Sequence, residues 1–169
     1  PVRGPAGQKH LDQETVVDAL RGLLENPTIG KVGQNLKYDM IVMRGCGIEV
    51  RGIVNDTMVA DYILEPGQRN HTMDDMAKRY LDHTTISIKE LIGTGKNQLT
   101  MDQVAIDKVA TYAAEDADVP FRIAPMLRER LEAEGLATLF DEVEMPLIEV
   151  LAEMEFNGIH VDVARLQEL

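Results

Sequence analysis

Ile29-Gly30-Lys31-Val32-Gly33-Gln34-Asn35-Leu36-Lys37-Tyr38-Asp39 begins as a short run bounded by glycines and ends as a polar helix start. The first half suits a buried strand. Asn35 can cap the helix that follows, which is predicted to run through Asp39 to about Arg44 and to stop at Gly45 and Gly47. Asn35 and Asp39 stand four apart, so they share one helix face near its N-terminus. Taken alone, that pair is better read as an Asn cap followed by a solvated Asp that favours the helix dipole.

Upstream, residues 1–10 are rich in Gly and Pro and read as irregular. Between Asp12 and Glu25, Val16, Val17, Leu20, Leu23 and Leu24 form the stripe of a helix lying on a core. Downstream, a short strand at Gly52–Val54 leads to Asp56, the expected cap of a helix through Leu64. Pro66-Gly67 breaks the chain, Thr72 caps a helix to about Leu81, and a short turn follows near Ile88–Ile92. Asp102 to about Gly135 reads as helix interrupted near Pro120 and Pro125, and Leu136–Glu155 as a further helix bearing Pro146. Gly158–Asp162 reads as a strand-like turn, and Asp162 caps a last amphipathic pattern ending at Leu169. The region is mostly helical with only two clear strands. Helices of this kind need a sheet to cover, so further strands are expected before Pro1, and both ends read as cut.

Hydrophobic residues make up 44% and charged residues 27% of the 169, enough apolar material for a soluble core built without Trp. The one cysteine, Cys46, cannot form an internal disulfide, which fits a reducing, cytoplasmic setting. No apolar run is long enough for a membrane span. The net charge of −12 argues against a self-sufficient nucleic-acid-binding module, because phosphate contacts normally supply most of the affinity. It leaves room for a hydrolase that holds divalent metals among carboxylates while a basic partner domain grips the DNA.

Tyr112-Ala113-Ala114-Glu115-Asp116-Ala117-Asp118 places Tyr112 and Asp116 one turn apart, with small alanines between them that let a backbone or ligand come close. By itself this better suits an ordinary amphipathic helix with a half-buried Tyr and exposed acids. Gly33–Asp39 and Tyr112–Asp118 together, however, resemble the second and third exonuclease motifs of bacterial family A DNA polymerases, the DNA polymerase I type. Asp56-Thr57-Met58 and Gly95–Thr100 are similar to segments lying between those motifs. Glu144–Leu147 and Asn157–Asp162 resemble the entry to the family's polymerase domain.

The resemblance, which runs from about Asp12 onward, implies an α/β, ribonuclease H-like 3′-5′ exonuclease fold, truncated at its N-terminal strands and therefore mostly helical. Residues 1–135 would be exonuclease domain and 136–169 the start of the polymerase domain. It implies proofreading hydrolysis of the 3′-terminal nucleotide with two Mg²⁺ ions (Mn²⁺ as an alternative), spaced about 3.5–4 Å apart. Asp116 and Asp39 would be the metal ligands, and Tyr112 would orient the attacking water. Gln34, Asn35 and Tyr38 would line the path of the single-stranded 3′ end. His71, standing before the Thr72 cap, reads by itself as a surface or DNA-contact residue and not as a metal ligand. The partners implied are DNA and deoxynucleotides, in a monomeric protein.

Two departures stand beside this. The family's first motif, Asp-x-Glu on the opening strand, has no credible copy: Asp12-Gln13-Glu14 has the letters but opens a helix. The isolated chain is therefore expected to be inactive, and a non-catalytic structural module is the rival reading. A free-standing exonuclease acting on RNA shares the Tyr-x-x-x-Asp pattern, but the segment from Glu144 to Asp162 speaks against it. Ile88 stands where relatives place an aromatic residue against a base, which lowers the stacking available there. Gly93-Thr94-Gly95-Lys96 lacks the first Gly and the final Ser or Thr of a phosphate loop. Met40, Met43, Met58 and Met76 read as core filler.

Overall fold

Residues 2–168 are described by a computed structural model. Pro1 and Leu169, the outer ends of the first and last segments read from the sequence, lie outside the described residues. The chain opens with α1 (Gln13–Leu24), then β1 (Lys31–Gly33), α2 (Leu36–Gly45), β2 (Ile53–Asp56) and α3 (Thr57–Leu64). Four further helices, α4 (Met73–Leu81), α5 (Ile88–Ile92), α6 (Ile106–Ala133) and the short α7 (Ala137–Leu139), lead to a π-turn at Phe140–Glu144. The chain closes with α8 (Met145–Asn157) and α9 (Val163–Gln167).

β1 and β2 pair in parallel, joined through α2, as parallel neighbours require a crossover. Their register runs Lys31 to Ile53, Val32 to Asn55 and Gly33 to Asp56, so β2 carries one extra residue, Val54. That bulge brings Asp56 opposite Gly33, beside the start of α2. Asp56 Oδ1 accepts from the backbone N–H of Asn35 (3.1 Å), Met58 (3.0 Å) and Val59 (3.3 Å), and Oδ2 from Leu36 N–H (2.7 Å). One carboxylate thus satisfies the orphan donors of two helices. The Asp56 cap of α3 is as predicted. The capping of α2 by Asn35 is not: Asn35 sits in the left-handed region at φ 58° and its side chain makes no capping bond. Asp56 has taken that role, because the strand register delivers it there.

The core lies between α3, α4, α6 and the π-turn. Ala60 and Leu64, Met76 and Ala77, Val119, Ile123, Leu127 and Leu131, and Phe140 are buried together. The four α6 residues recur every fourth position, which makes one continuous buried stripe. This is why the interruption expected near Pro120 and Pro125 does not occur, and α6 runs unbroken through both. Each proline costs ~3 kcal/mol or more in a helix interior, whereas full burial of each of the four stripe side chains contributes about 1.5–3 kcal/mol.

The helix expected over Leu136–Glu155 forms, running from Ala137 to Asn157, with a π-helical stretch at Phe140–Glu144 just before Pro146, which has no N–H to continue an α-helical ladder. Other expectations fail for local reasons. Gly158–Asp162 forms no strand, although Asp162 does cap α9 through Arg165 N–H at 3.0 Å. The apolar stripe of α1 was expected to lie on a core, yet none of its residues is buried among the described residues. Of the methionines, Met76 is core and Met58 only half-buried.

Replacing Asp56 tests the double cap. Asp56→Asn must turn an amide N–H toward at least one backbone donor, and is expected to lower stability by about 1–3 kcal/mol. Asp56→Ala strands all four donors and should cost more, about 3–5 kcal/mol. Equilibrium urea unfolding reads both; an unchanged midpoint for Asp56→Asn would remove the capping role.

Candidate active site

Gly33 ends β1 where strand, helix and cleft meet. A Cβ there would lie 2.5 Å from Cδ2 of the buried Leu36, so glycine allows the strand to turn straight into α2. One helical turn beyond Asn35, Asp39 stands open to solvent as a residue, but its carboxyl is partly desolvated. Burial first, and the charge of Asp56 in addition, raise its pKa above the ordinary carboxylate range. Tyr38, its neighbour, is largely exposed.

On α6, which packs against β1, Tyr112 and Asp116 stand one turn apart as the spacing predicts, both half-buried. Gly30, β1 and Ala117, Asp118 and Phe121 of α6 form a cleft with Asp116 in its wall. Asp116 Oδ1 is buried and has no hydrogen-bond partner. Burial raises the pKa of Asp116, and the charges of Glu115 and Asp74 raise it further, against the pull of the Tyr112 hydroxyl. The Tyr112 phenol is itself pushed up to about 12, first by burial and then by the Asp116 carboxylate. It therefore keeps its proton at neutral pH and remains a donor.

The adjacent acids are already engaged. Glu115 accepts from His83 Nε2 at 2.7 Å and from Ile86 N–H at 2.6 Å, fastening the segment before α5 onto α6. Asp118 pairs with Arg122 at 3.4 Å on the surface. Asp116 is thus the one acid of this run with a buried oxygen left over. Among the described residues, no three His, Cys, Asp or Glu side chains are grouped to hold a metal ion. Asp12 of Asp12-Gln13-Glu14 is occupied as the α1 cap, accepting from Thr15 N–H at 2.9 Å.

A groove opens beside the start of α2, with Gln34, Asn35, Met58, Tyr62, Arg69 and His71 among its walls. Gln34 spans it: Nε2 donates to His71 O at 2.8 Å while Oε1 accepts from Thr57 Oγ1. The structure thus gathers Gln34, Asn35 and His71 into one groove and leaves Tyr38 outside its lining, on the exposed face of α2. Ile88, on α5, is exposed and also outside it. Lys37 and Arg44, further along α2, form ion pairs with Glu155 and Glu153 of α8.

Sequence reasoning missed Asp61. On α3 the buried positions are Thr57, Ala60, Asp61 and Leu64, the inward stripe of a helix, and a carboxylate on that stripe was the available signal. Its oxygens accept from Arg79 Nη1 (2.7 Å), Tyr80 OH (2.6 Å) and His71 Nδ1 (2.6 Å).

Residues 5–132 match the model of a family described as 3′-5′ exonuclease. DNA polymerase I of Pseudomonas aeruginosa is 45% identical over 157 residues, 91% of this chain but 17% of that protein. The chain thus spans about a sixth of the length of this curated relative. Among solved structures, the POL domain of Pol1 from M. smegmatis, in complex with DNA primer-template and dNTP, aligns with a TM-score of 0.76 at 28% identity. That alignment covers 94% of this chain and 24% of the other. Brucella melitensis NrnC with bound Mg²⁺ aligns with a TM-score of 0.65 at 20% identity, over 94% and 71% of the two chains, a likeness of fold alone. The predominantly helical α/β architecture around a small parallel sheet is the exonuclease-like fold expected from the sequence. This chain belongs to the 3′-5′ exonuclease family.

Proposed function

We propose that this chain is the proofreading exonuclease region of a DNA polymerase and acts, in the whole protein, by removing the 3′-terminal nucleotide of a single DNA strand. The observation that carries the reading is the buried, unpartnered Oδ1 of Asp116 in the glycine-walled cleft. A buried carboxylate oxygen without a donor is costly, and here nearby acids add repulsion. A hard divalent cation such as Mg²⁺ relieves both, since it takes oxygen ligands and keeps several waters. Asp116 would hold one such ion and Asp39, partly through water, a second, with further acids supplied by the rest of the whole protein.

Bound divalent ions would stabilise the charge on the attacking and leaving oxygens of an in-line displacement, and would lower the pKa of a bound water. The chain's own residues do the rest. Tyr112, protonated at neutral pH, directs its hydroxyl at the attacking water beside Asp116. Gln34, Asn35 and His71 line the groove that receives the strand, and Tyr38 contacts it from the exposed face of α2. The segment after Gly135 would begin the polymerase domain, and the whole protein would be a monomer of the cytoplasm serving replication and repair. The rival, a non-catalytic module, draws its support from the lack, among the described residues, of any three His, Cys, Asp or Glu side chains grouped to hold a metal ion.

Three measurements separate the readings. The isolated chain with Mg²⁺ or Mn²⁺ is expected to hydrolyse single-stranded DNA little or not at all; turnover like that of an intact proofreading domain would refute the need for further acids. In the full-length protein, Asp116→Ala and Asp39→Ala should each abolish exonuclease activity and leave DNA synthesis within about twofold, since each removes one metal ligand. A parallel loss of synthesis would assign them a folding role instead. Tyr112→Phe should keep its melting temperature while single-turnover hydrolysis slows roughly 10- to 100-fold, the worth of one positioning hydrogen bond. A wild-type rate would sink the role given to Tyr112.

A further inference from the structure

Asp61 has no part in the chemistry assigned above, yet it is fully buried and accepts three hydrogen bonds. Arg79 and Tyr80, both on α4, share Oδ1, which suffices to tie α3 to α4. Oδ2 is left for His71 alone. A carboxylate only accepts, so His71 must donate from Nδ1, which fixes its tautomer when neutral and turns Nε2 away from the core. His71 lies in the irregular stretch between Pro66 and the α4 cap Thr72, where nothing in the backbone pattern would fix a ring. Its imidazole in turn packs edge-to-face on the Tyr62 ring, with centroids 5.4 Å apart and planes at 76°. Tyr62 is 59% exposed and stands in the groove wall next to Met58 and Asn35.

We propose that Tyr62 is a stacking platform for an unpaired nucleobase in this groove, and that Asp61 is the positioning residue that holds it through His71. The proposal rests on the exonuclease reading, which brings a single strand to the groove. An exposed aromatic face held by a buried carboxylate does what a base-stacking site requires. It presents a flat π-surface whose rotamer is fixed before the strand arrives, so little conformational freedom is lost on binding. Arg69 and Asn70, beside His71 on the rim, offer polar groups to the adjoining phosphodiester. Stacking is tolerant of base identity, as a site that must accept any 3′ end demands.

The test uses the full-length protein with a single-stranded oligodeoxynucleotide carrying 2-aminopurine, in EDTA so that nothing is cleaved. Tyr62→Ala is expected to weaken binding about tenfold, which corresponds to about 1.4 kcal/mol, and to abolish the quenching of 2-aminopurine at one position of the strand. Tyr62→Phe should stay within about twofold and keep the quenching, because the ring is retained. Asp61→Asn keeps the shape but presents an N–H to His71, and should weaken binding and reduce the same quenching. In Mg²⁺ its loss should fall on KM and not on kcat. The double variant should bind no more weakly than Tyr62→Ala, since both act through one contact. If Asp61→Asn does not fold, His71→Ala breaks the same relay from the groove side, and there the quenching at the one position is read, since loss of a direct His71 contact alone would weaken binding but leave a base stacked on Tyr62. Undiminished binding by Tyr62→Ala or by folded Asp61→Asn, or undiminished quenching with His71→Ala, would overturn the proposal and leave the exonuclease reading intact. A wild-type protein that bound no single strand would overturn both.

Discussion

The carboxylate of Asp56 accepts four backbone N–H groups, two at the start of α2 and two at the start of α3, while almost no solvent reaches it. Burial raises its pKa and the four bonds hold the rise in check. Everything that defines the candidate site is placed relative to this group. It fixes where α2 begins, and with that the direction of Asn35 and Asp39. It fixes where α3 begins, and so puts Met58 and Tyr62 on the groove side and Asp61 inward. The bulge at Val54 is what lets one residue do both, since without the extra residue Asp56 would not fall opposite Gly33.

Short-range signals made much of this legible. Helix starts at Asp12, Asp56, Thr72 and Asp162 follow from side chains that can accept from their own first turn, and all four do so. The pairing of Tyr112 with Asp116 follows from helical period alone. What was not legible came from tertiary packing. Asn35 has the composition of a cap, but its backbone is left-handed, and its own N–H and that of Leu36 are bound by a residue twenty-one positions later. Prolines 120 and 125 carry a strong local signal to break, and a buried stripe on the same helix overrides it. The incomplete cover over α1, whose Val16, Val17 and Leu24 are only half-buried, has the same origin, because periodicity tells which face is apolar and not what lies against it.

The site itself was half visible. Asp39 and Asp116 could be picked out only because Gly33–Asp39 and Tyr112–Asp118 together resemble two family motifs; each pattern alone suits an ordinary helix better. The relay from Asp61 to His71 could not be, since its partners come from three separate segments and its donor geometry exists only once α3 and α4 are packed. Glu115 shows the same limit. It reads as one more acid in an acidic run, and only the fold engages it with His83 and Ile86, leaving its neighbour Asp116 as the free one.

The two attachments of α2 differ in kind. Its N-terminus is held by hydrogen bonds out of reach of solvent, and its outer face by ion pairs from Lys37 and Arg44 to α8, with Arg44 also over the Phe156 ring at 4.3 Å. Ion pairs at partly exposed positions are screened over about 8 Å at physiological ionic strength, whereas buried bonds are hardly affected. Ionic strength therefore acts on this helix from one side only. Raising it weakens the two ion pairs with α8 while leaving the four bonds at Asp56 tight, so the anchoring of α2 shifts toward its N-terminus, where Asp39 stands one turn away.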